Sequence, residues 1–188
     1  MKNLQEVLDF LGVKNVDSSL ASLSIQKLTM HSKLAGPGTV FCALQGTQKD
    51  GHDFIEEALQ QGCSAVLCEK PFQKNEKSNA VFVIPNLKNQ LGKLANFCFP
   101  LKPDLKLIAV TGTNGKTSVT HFVSEGLSLL GIETGLIGSL THTLTTPNRL
   151  EFAELLPNLP ATVAIEASSH ALDQRRVHGL SFELAPVR

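Results

Sequence analysis

The stretch LKLIAVTGTNGKTS, Leu105–Ser118, carries three signals in a row. Leu107, Ile108, Ala109 and Val110 form an apolar run of the kind that makes a strand buried on both faces of a parallel sheet. Thr111-Gly112-Thr113-Asn114-Gly115-Lys116-Thr117 follows, and beyond it Val119, Phe122, Val123 and Leu127 recur at helical spacing. Strand, glycine loop and helix in that order cradle a nucleotide phosphate. Glycines let backbone N–H groups converge on phosphate oxygens, and the helix presents its positive N-terminal end to the same oxygens. Lys116 adds a full charge toward the outer phosphates, and the Thr117 hydroxyl is placed to ligate Mg2+. The usual motif has a glycine five residues before the Gly-Lys pair; Val110 stands there, so the loop is a variant. The plainer alternative, a glycine turn with a solvated lysine, leaves the full Gly-Lys-Thr-Ser context unexplained.

Downstream, the helix is predicted to end near Leu130-Gly131, TGLIGSL at 134–140 reads as a second strand, and a loop with Thr145-Thr146-Pro147 leads into a short helix. ATVAIE at 161–166 is a third apolar strand, ending in a carboxylate. Three strands alternating with helices around a phosphate loop predict a parallel, doubly wound sheet with ligands at the strands' carboxyl ends. Glu166 falls at that end and is the candidate to hold the nucleotide's Mg2+. A lone glutamate there is ordinarily just solvated. Here Ser168, Ser169 and His170 follow it at once, and Gln174, Arg175 and Arg176 then supply donors suited to carboxylate or phosphate.

Upstream, residues 1–104 alternate strand-like and helix-like segments. TVFCALQ at 39–45, SAVLC at 64–68 and AVFVI at 80–84 read as strands. Asp53 is the predicted N-cap of the helix FIEEALQQ, with Glu56 completing a capping pattern and Gly62 stopping it. A helix is predicted from Pro85 to Phe99, with Leu87, Leu91, Leu94 and Phe97 along one side. FPLKPDLK, with Pro100 and Pro103, breaks it and is the candidate linker between a small mixed α/β domain, 1–104, and the phosphate-loop domain, 105–188.

The totals narrow the partners. Seventeen basic against seventeen acidic residues among 188 give no net charge, which argues against a nucleic-acid or acidic-membrane surface. Cys42, Cys63, Cys68 and Cys98 sit singly in apolar segments, unlike a zinc site. MKNLQEVLDFLG, with Glu6 and Asp9, reads as a short amphipathic helix rather than a signal peptide, and no apolar run approaches the roughly 20 residues of a membrane span. A reducing cytoplasm is the expected compartment.

TGTNGKTS, then GLIGS, TTP and EASSHALDQRRV, resembles the ATP-dependent Mur ligases of peptidoglycan synthesis, within them the branch that adds the third amino acid to UDP-N-acetylmuramoyl-L-alanyl-D-glutamate (UDP-MurNAc-L-Ala-D-Glu). HSKLAGPGTVFCALQGTQKDGHDFIEEALQQGCSAVL, 31–67, is similar to that family's UDP-binding domain. The resemblance implies that Met30, Ser32, Thr47, Gln48 and Lys49 line a UDP pocket and that Gly112, Thr113, Asn114, Gly115, Lys116, Thr117 and Ser118 hold ATP. It implies that Thr145, Thr146, Ser168, Gln174 and Arg176 contact the muramoyl dipeptide, that Thr117 and Glu166 serve Mg2+, and that Lys116 and Glu166 act in catalysis.

The family chemistry is phosphorylation of the D-glutamate carboxylate by ATP, then attack of a diamino acid, meso-diaminopimelate or L-lysine, on the acyl phosphate. The sequence departs from the family at His31 and Lys33, where Asp and Arg usually flank the serine, and at Leu144, where an Asn usually precedes Thr-Thr. The family's remaining central domain and its C-terminal, amino-acid-selecting domain lie beyond Arg188. The 188 residues by themselves are therefore expected to turn over no ligation, and their incomplete central sheet to favour self-association. The alternative is a non-catalytic nucleotide or UDP-sugar-binding module. An unrelated phosphate-loop NTPase needs an Asp at a strand end, and none of the apolar strands ends in one.

Overall fold

The computed structural model describes residues 2–14, 16–46, 49–72, 78–141, 145–174 and 176–183. The chain divides into two compact units, Met1–Phe99 and Pro100–Arg188, so the division falls at the first proline of the proline-containing connection.

In the first unit, strand β1 (Lys2–Asn3) leads into helix α1 (Leu4–Phe10), then α2 (Ser18–Ala21), β2 (Ser24–Ile25), β3 (Lys27–Thr29), β4 (Thr39–Ala43), α3 (Ile55–Gln60), β5 (Ala65–Cys68), β6 (Val81–Val83) and α4 (Leu87–Cys98). β1 and β2 pair antiparallel, while β3-β4-β5-β6 form a parallel sheet in that order. Every residue of β4 and β5 is buried, which is why both read as unbroken apolar runs. Phe41, Ala43, Val66 and Cys68 pack with Ile55 and Ala58 of α3. By the two-residue period of a strand, Val40 and Cys42 face the opposite side. Leu87, Leu91 and Leu94 are buried on α4, as their spacing predicts, with Ala95 beside them; Phe97, expected on the same side, is only half-buried and stacks on Phe10.

α1 is closed by a capping box the sequence reading did not name: Asn3 Oδ1 accepts from Glu6 N–H and Glu6 Oε2 from Asn3 N–H, both at 2.9 Å. The predicted cap at Asp53 is corrected. α3 itself starts after Phe54 with no side-chain cap; Asp50 instead, its carboxylate accepting from His52 N–H at 3.1 Å, caps a preceding 3-10 turn, Gly51–Phe54, which absorbs Asp53. Gly51 permits the earlier turn, since a Cβ there would lie 2.7 Å from the Leu44 N and O atoms. The helix expected from Pro85 starts at Leu87, because Asn86 takes a left-handed conformation, φ 55°.

In the second unit, β7 (Lys106–Val110), α5 (Lys116–Leu129), β8 (Thr134–Ile137), α6 (Arg149–Leu155), β9 (Thr162–Glu166) and α7 (Ser169–Asp173) follow the predicted order. The three strands are parallel, ordered β7-β9-β8, so the strand last in sequence lies in the middle. Leu107, Ile137, Val163 and Ile165 pack with Phe152 and Leu156 on one face, and α5 lies on the other. The buried side of α5 centres on Thr120 and Ser124; Val119, Val123 and Leu127 of the expected stripe are half-buried beside them, and Phe122 alone of that stripe is exposed, at 69%. Small side chains let the helix sit close to the sheet, and the Thr120 hydroxyl satisfies itself on the Lys116 carbonyl at 2.7 Å. Among the described residues no helix is long and apolar enough to cross a membrane.

Cys42, Cys63, Cys68 and Cys98 are free and buried, and burial pushes the Cys42 and Cys98 thiols up to about 12 and Cys63 and Cys68 up to about 11. The folded chain is therefore expected to resist a thiol–disulfide reagent at about pH 8, where free cysteine reacts readily, and to release all its thiols in denaturant. Rapid reaction of any thiol in the folded chain contradicts this burial.

Candidate functional site

The carboxyl ends of the three strands of the second unit meet at one point. From Val110 the chain turns through Gly112, φ 146°, and Gly115, φ 76°, and enters α5 with Lys116 as its first residue and no side-chain cap. The Lys116 ammonium folds back over the loop and donates to the carbonyls of Gly112, 2.8 Å, and Thr113, 3.1 Å. Thr117, one residue into the helix, donates from Oγ1 to Glu166 Oε2 at 2.9 Å.

Glu166 pairs in register with Val110 at the end of the middle strand and is 2% exposed. Its carboxylate is held from a second side by Ser139, whose N–H donates to Oε1 at 2.9 Å and whose hydroxyl reaches Oε2 at 3.4 Å. Gly138 is necessary here, since a Cβ would lie 2.2 Å from Glu166 Oε1. Ser139 is a residue the sequence reading missed. Its signal was present in the Gly-Ser pair that ends the second strand, but nothing local says that both its donors turn to Glu166.

A second layer is built on Thr145 and Thr146. The Thr145 and Ser139 hydroxyls are 3.0 Å apart. Thr146, 1% exposed, donates to the Glu166 carbonyl at 2.7 Å and accepts from Ser168 N–H at 3.1 Å. Ser168 caps α7 through Ala171 N–H. Arg176 donates to the Thr146 carbonyl from Nη1, 2.9 Å, and grips Gln174 Oε1 with Nε and Nη2 at 2.9 and 2.7 Å. Gln174 Nε2 lies 2.8 Å from His170 Nε2. Asn148, with Glu151, forms a capping box that starts α6 right after Pro147 and so fixes the Thr145–Pro147 segment. Arg149 beside it is 4% exposed, and burial pulls its guanidinium down to about 10.

Thus the structure gathers Thr117, Thr145, Thr146, Glu166, Ser168, Gln174 and Arg176 into one hydrogen-bonded set, while Lys116, next to Thr117 in the chain, is held separately on the loop's own carbonyls. In the first unit, Met30 and the buried Ser32 follow the end of β3, and Lys49, beyond β4, lies with its ammonium 5.6 Å from the Phe54 ring centroid. Thr47, Gln48, Leu144 and Arg175 lie outside the described residues.

Two family models match the chain: "Mur ligase family, catalytic domain" over residues 24–97 and "Mur ligase middle domain" over residues 110–187. The chain belongs to the Mur ligase family. Over 200 residues it is 36% identical to the UDP-N-acetylmuramoyl-L-alanyl-D-glutamate--2,6-diaminopimelate ligase of Coxiella burnetii, covering 98% of this chain and 40% of that protein. A solved ligase of the same description superimposes with a TM-score of 0.74 at 25% identity, covering 100% of this chain and 40% of the other. The MurF ligase of Thermotoga maritima, solved in complex with ADP, shares the fold at a TM-score of 0.56 and 22% identity, over 82% of this chain and 34% of that one. The chain thus spans about two fifths of the length of the curated relatives it matches.

In this Mur ligase chain the middle-domain match opens at Val110, the residue paired with Glu166. Gly138→Ala is expected to displace that carboxylate and cost about 1–3 kcal/mol of stability. Circular dichroism in urea measures it, since the chain has neither Trp nor Tyr. Adding Glu166→Ala removes the colliding atoms and is expected to make the pair less than additive; strict additivity contradicts the contact.

Proposed function

We propose that residues 1–104 bind the UDP-sugar and residues 105–188 the ATP of a ligase that joins UDP-MurNAc-L-Ala-D-Glu to a diamino acid through an acyl phosphate. The observation that carries this reading is the convergence of Lys116, Thr117 and Glu166 at the strand ends. The relatives are named for 2,6-diaminopimelate, which favours that amino acid over L-lysine.

Chemically the parts suit the task. A carboxylate is a poor acyl donor until one of its oxygens becomes a phosphate leaving group, and that transfer needs charge neutralised at the phosphate. The Lys116 ammonium already sits on the loop, held by the Gly112 and Thr113 carbonyls. Gly112 to Ser118 supply the backbone N–H groups and small side chains of the cradle.

The Thr117 hydroxyl, the Glu166 carboxylate and the Ser139 hydroxyl are hard oxygen donors, the set that Mg2+ takes in small number while keeping phosphate oxygens and water as its other ligands. When bound there, the ion neutralises charge between phosphate oxygens. Among the described residues no group of three or more His, Cys, Asp and Glu forms a site of its own, which agrees with an ion held jointly with a nucleotide.

Thr145, Thr146, Ser168, Gln174 and Arg176 are the proposed rim for the muramoyl dipeptide. Arg176 stiffens that rim through Thr146 and Gln174, and the Thr145 hydroxyl is its half-exposed donor. The exposed Phe122, Leu129 and Leu130 of α5 and its end support self-association of the chain, which sizing against concentration measures.

Thermal stabilisation tests the two halves separately. Each ligand at about a hundredfold excess over its Kd is expected to stabilise by about 2.7 kcal/mol. Lys116→Ala should abolish the response to ATP-Mg2+ and leave that to UDP-MurNAc-L-Ala-D-Glu, while Glu166→Gln should weaken the dependence on Mg2+. A wild-type chain indifferent to ATP-Mg2+, or a Lys116→Ala chain that responds like wild type, sinks the proposal.

A further inference from the structure

At the carboxyl ends of the first unit's strands lies a second hydrogen-bonded cluster, which begins at Asp50, next in the chain to Lys49. His52 Nδ1 is 2.5 Å from Asp50 Oδ1, and Lys70 Nζ is 2.9 Å from Asp50 Oδ2. The imidazole is mostly buried, its side chain 13% exposed. Its other nitrogen, Nε2, lies 3.3 Å from the backbone nitrogens of both Glu69 and Lys70.

A backbone N–H can only donate, so Nε2 accepts, and the single proton of the neutral ring belongs on Nδ1, directed at Asp50. An aspartate–histidine pair also begins many acid–base sites. Here the far nitrogen meets two donors and no group that could exchange a proton with it, so the pair holds structure rather than moving protons. The Lys70 ammonium, followed by the His52 contacts, keeps the Asp50 carboxyl well below the usual carboxylate range.

What the pair holds is specific. Asp50 closes the turn after β4: Gln45 and Asp50 form a bridge, Gly46 N–H donates to the Lys49 carbonyl at 2.9 Å, and Gly51 N–H to the Leu44 carbonyl at 2.8 Å. Glu69, on the far side of the ring, reaches on to α4, where its Oε1 accepts from Lys88 N–H at 3.0 Å. That bond serves a helix whose own cap residue, Asn86, offers it no side chain. His52 is thus the joint between the turn that carries Lys49, the exit of β5 and the start of α4.

We infer that His52 is a positioning residue: as the Nδ1–H tautomer it locks the Lys49 turn to the exit of β5, and so sets the geometry with which the first unit takes a UDP-sugar. The inference rests on the UDP-sugar reading above. Asp50 on one side of the ring and Glu69 and Lys70 on the other are the charged residues it joins, and Lys49 precedes Asp50 in the turn so held.

The test has two arms on the 188-residue chain. In the first, long-range proton–nitrogen NMR of the histidine rings, with His52 assigned by its loss in His52→Gln, is expected to show the Nδ1–H tautomer; the Nε2–H form overturns the lock. In the second, calorimetry with UDP-MurNAc-L-Ala-D-Glu is expected to show binding about tenfold weaker in His52→Leu, which removes both contacts. His52→Asn keeps a donor at the Nδ1 position and His52→Gln an acceptor at the Nε2 position, and both should recover part of that loss.

ATP-Mg2+ binding should be unchanged throughout. Equal affinity in His52→Leu and wild type overturns the positioning role. Should His52→Leu not fold, the Asn and Gln variants decide it, since wild-type affinity in both overturns the role. A wild-type chain that shows the Nδ1–H tautomer but no affinity for the sugar nucleotide defeats the UDP reading and the positioning role with it, while leaving the lock in place.

Discussion

A buried carboxylate is costly unless donors surround it, and Glu166 meets that condition only where three separate segments arrive together. Thr117 comes from the helix after the glycine loop, Ser139 from the turn after β8, and the glutamate itself from the end of the middle strand. None of these donors is local to Glu166 in sequence. The strand register that sets Glu166 beside Val110 and Ile165 beside Ile137 is what delivers all three to one place. A one-residue slip of β9 would turn the carboxylate to the other face of the sheet and leave the Thr117 hydroxyl and the Ser139 amide without it. The interaction that readies the site is therefore also a check on the sheet.

The two units solve the same problem with different residues. Each has parallel strands buried on both faces, helices returning the chain, and polar side chains gathered where the strands end. In the second unit the tie between neighbouring strand ends is a carboxylate accepting from a hydroxyl and an amide. In the first it is an aspartate and an imidazole, with the ring spanning from the turn after β4 to the backbone after β5. Glycines mark both ties, Gly51 against Leu44 and Gly138 against Glu166, because each brings a backbone closer to its neighbour than any Cβ allows.

Much of this was legible from the chain alone, for a physical reason. Strands buried on both faces announce themselves as apolar runs, so β4, β5, β7 and β9 were found within a residue or two. Helix α5 followed from the glycine loop, and the polar segment after Glu166 pointed to the site. What escaped was non-local or short. β1, β2 and β3 have two or three residues each, too few to show a period. The cap of the turn before α3 moved from Asp53 to Asp50 because a contact with Leu44 decides where that chain can bend. Within the apolar stripe of α5 only Phe122 misled, since close approach to a sheet buries Thr120 and Ser124 and leaves that bulky ring outside. Ser139 and His52 act through partners 27 and 17 residues away, a distance that no window of sequence spans.

The posture of Lys116 bears on how tightly such a loop can hold a nucleotide. Its ammonium already has two acceptors, the Gly112 and Thr113 carbonyls, so a phosphate must win it from them rather than from water alone. A charged donor on a neutral carbonyl contributes about 1.5–3 kcal/mol, and pairing with an anionic oxygen is roughly twice as strong as a neutral hydrogen bond. If Lys116 takes the phosphate as proposed, its contribution to affinity is that difference, not the full strength of an ammonium–phosphate pair. The same two bonds hold the loop around the lysine in the meantime, so the cost of ordering it falls on folding and not on binding.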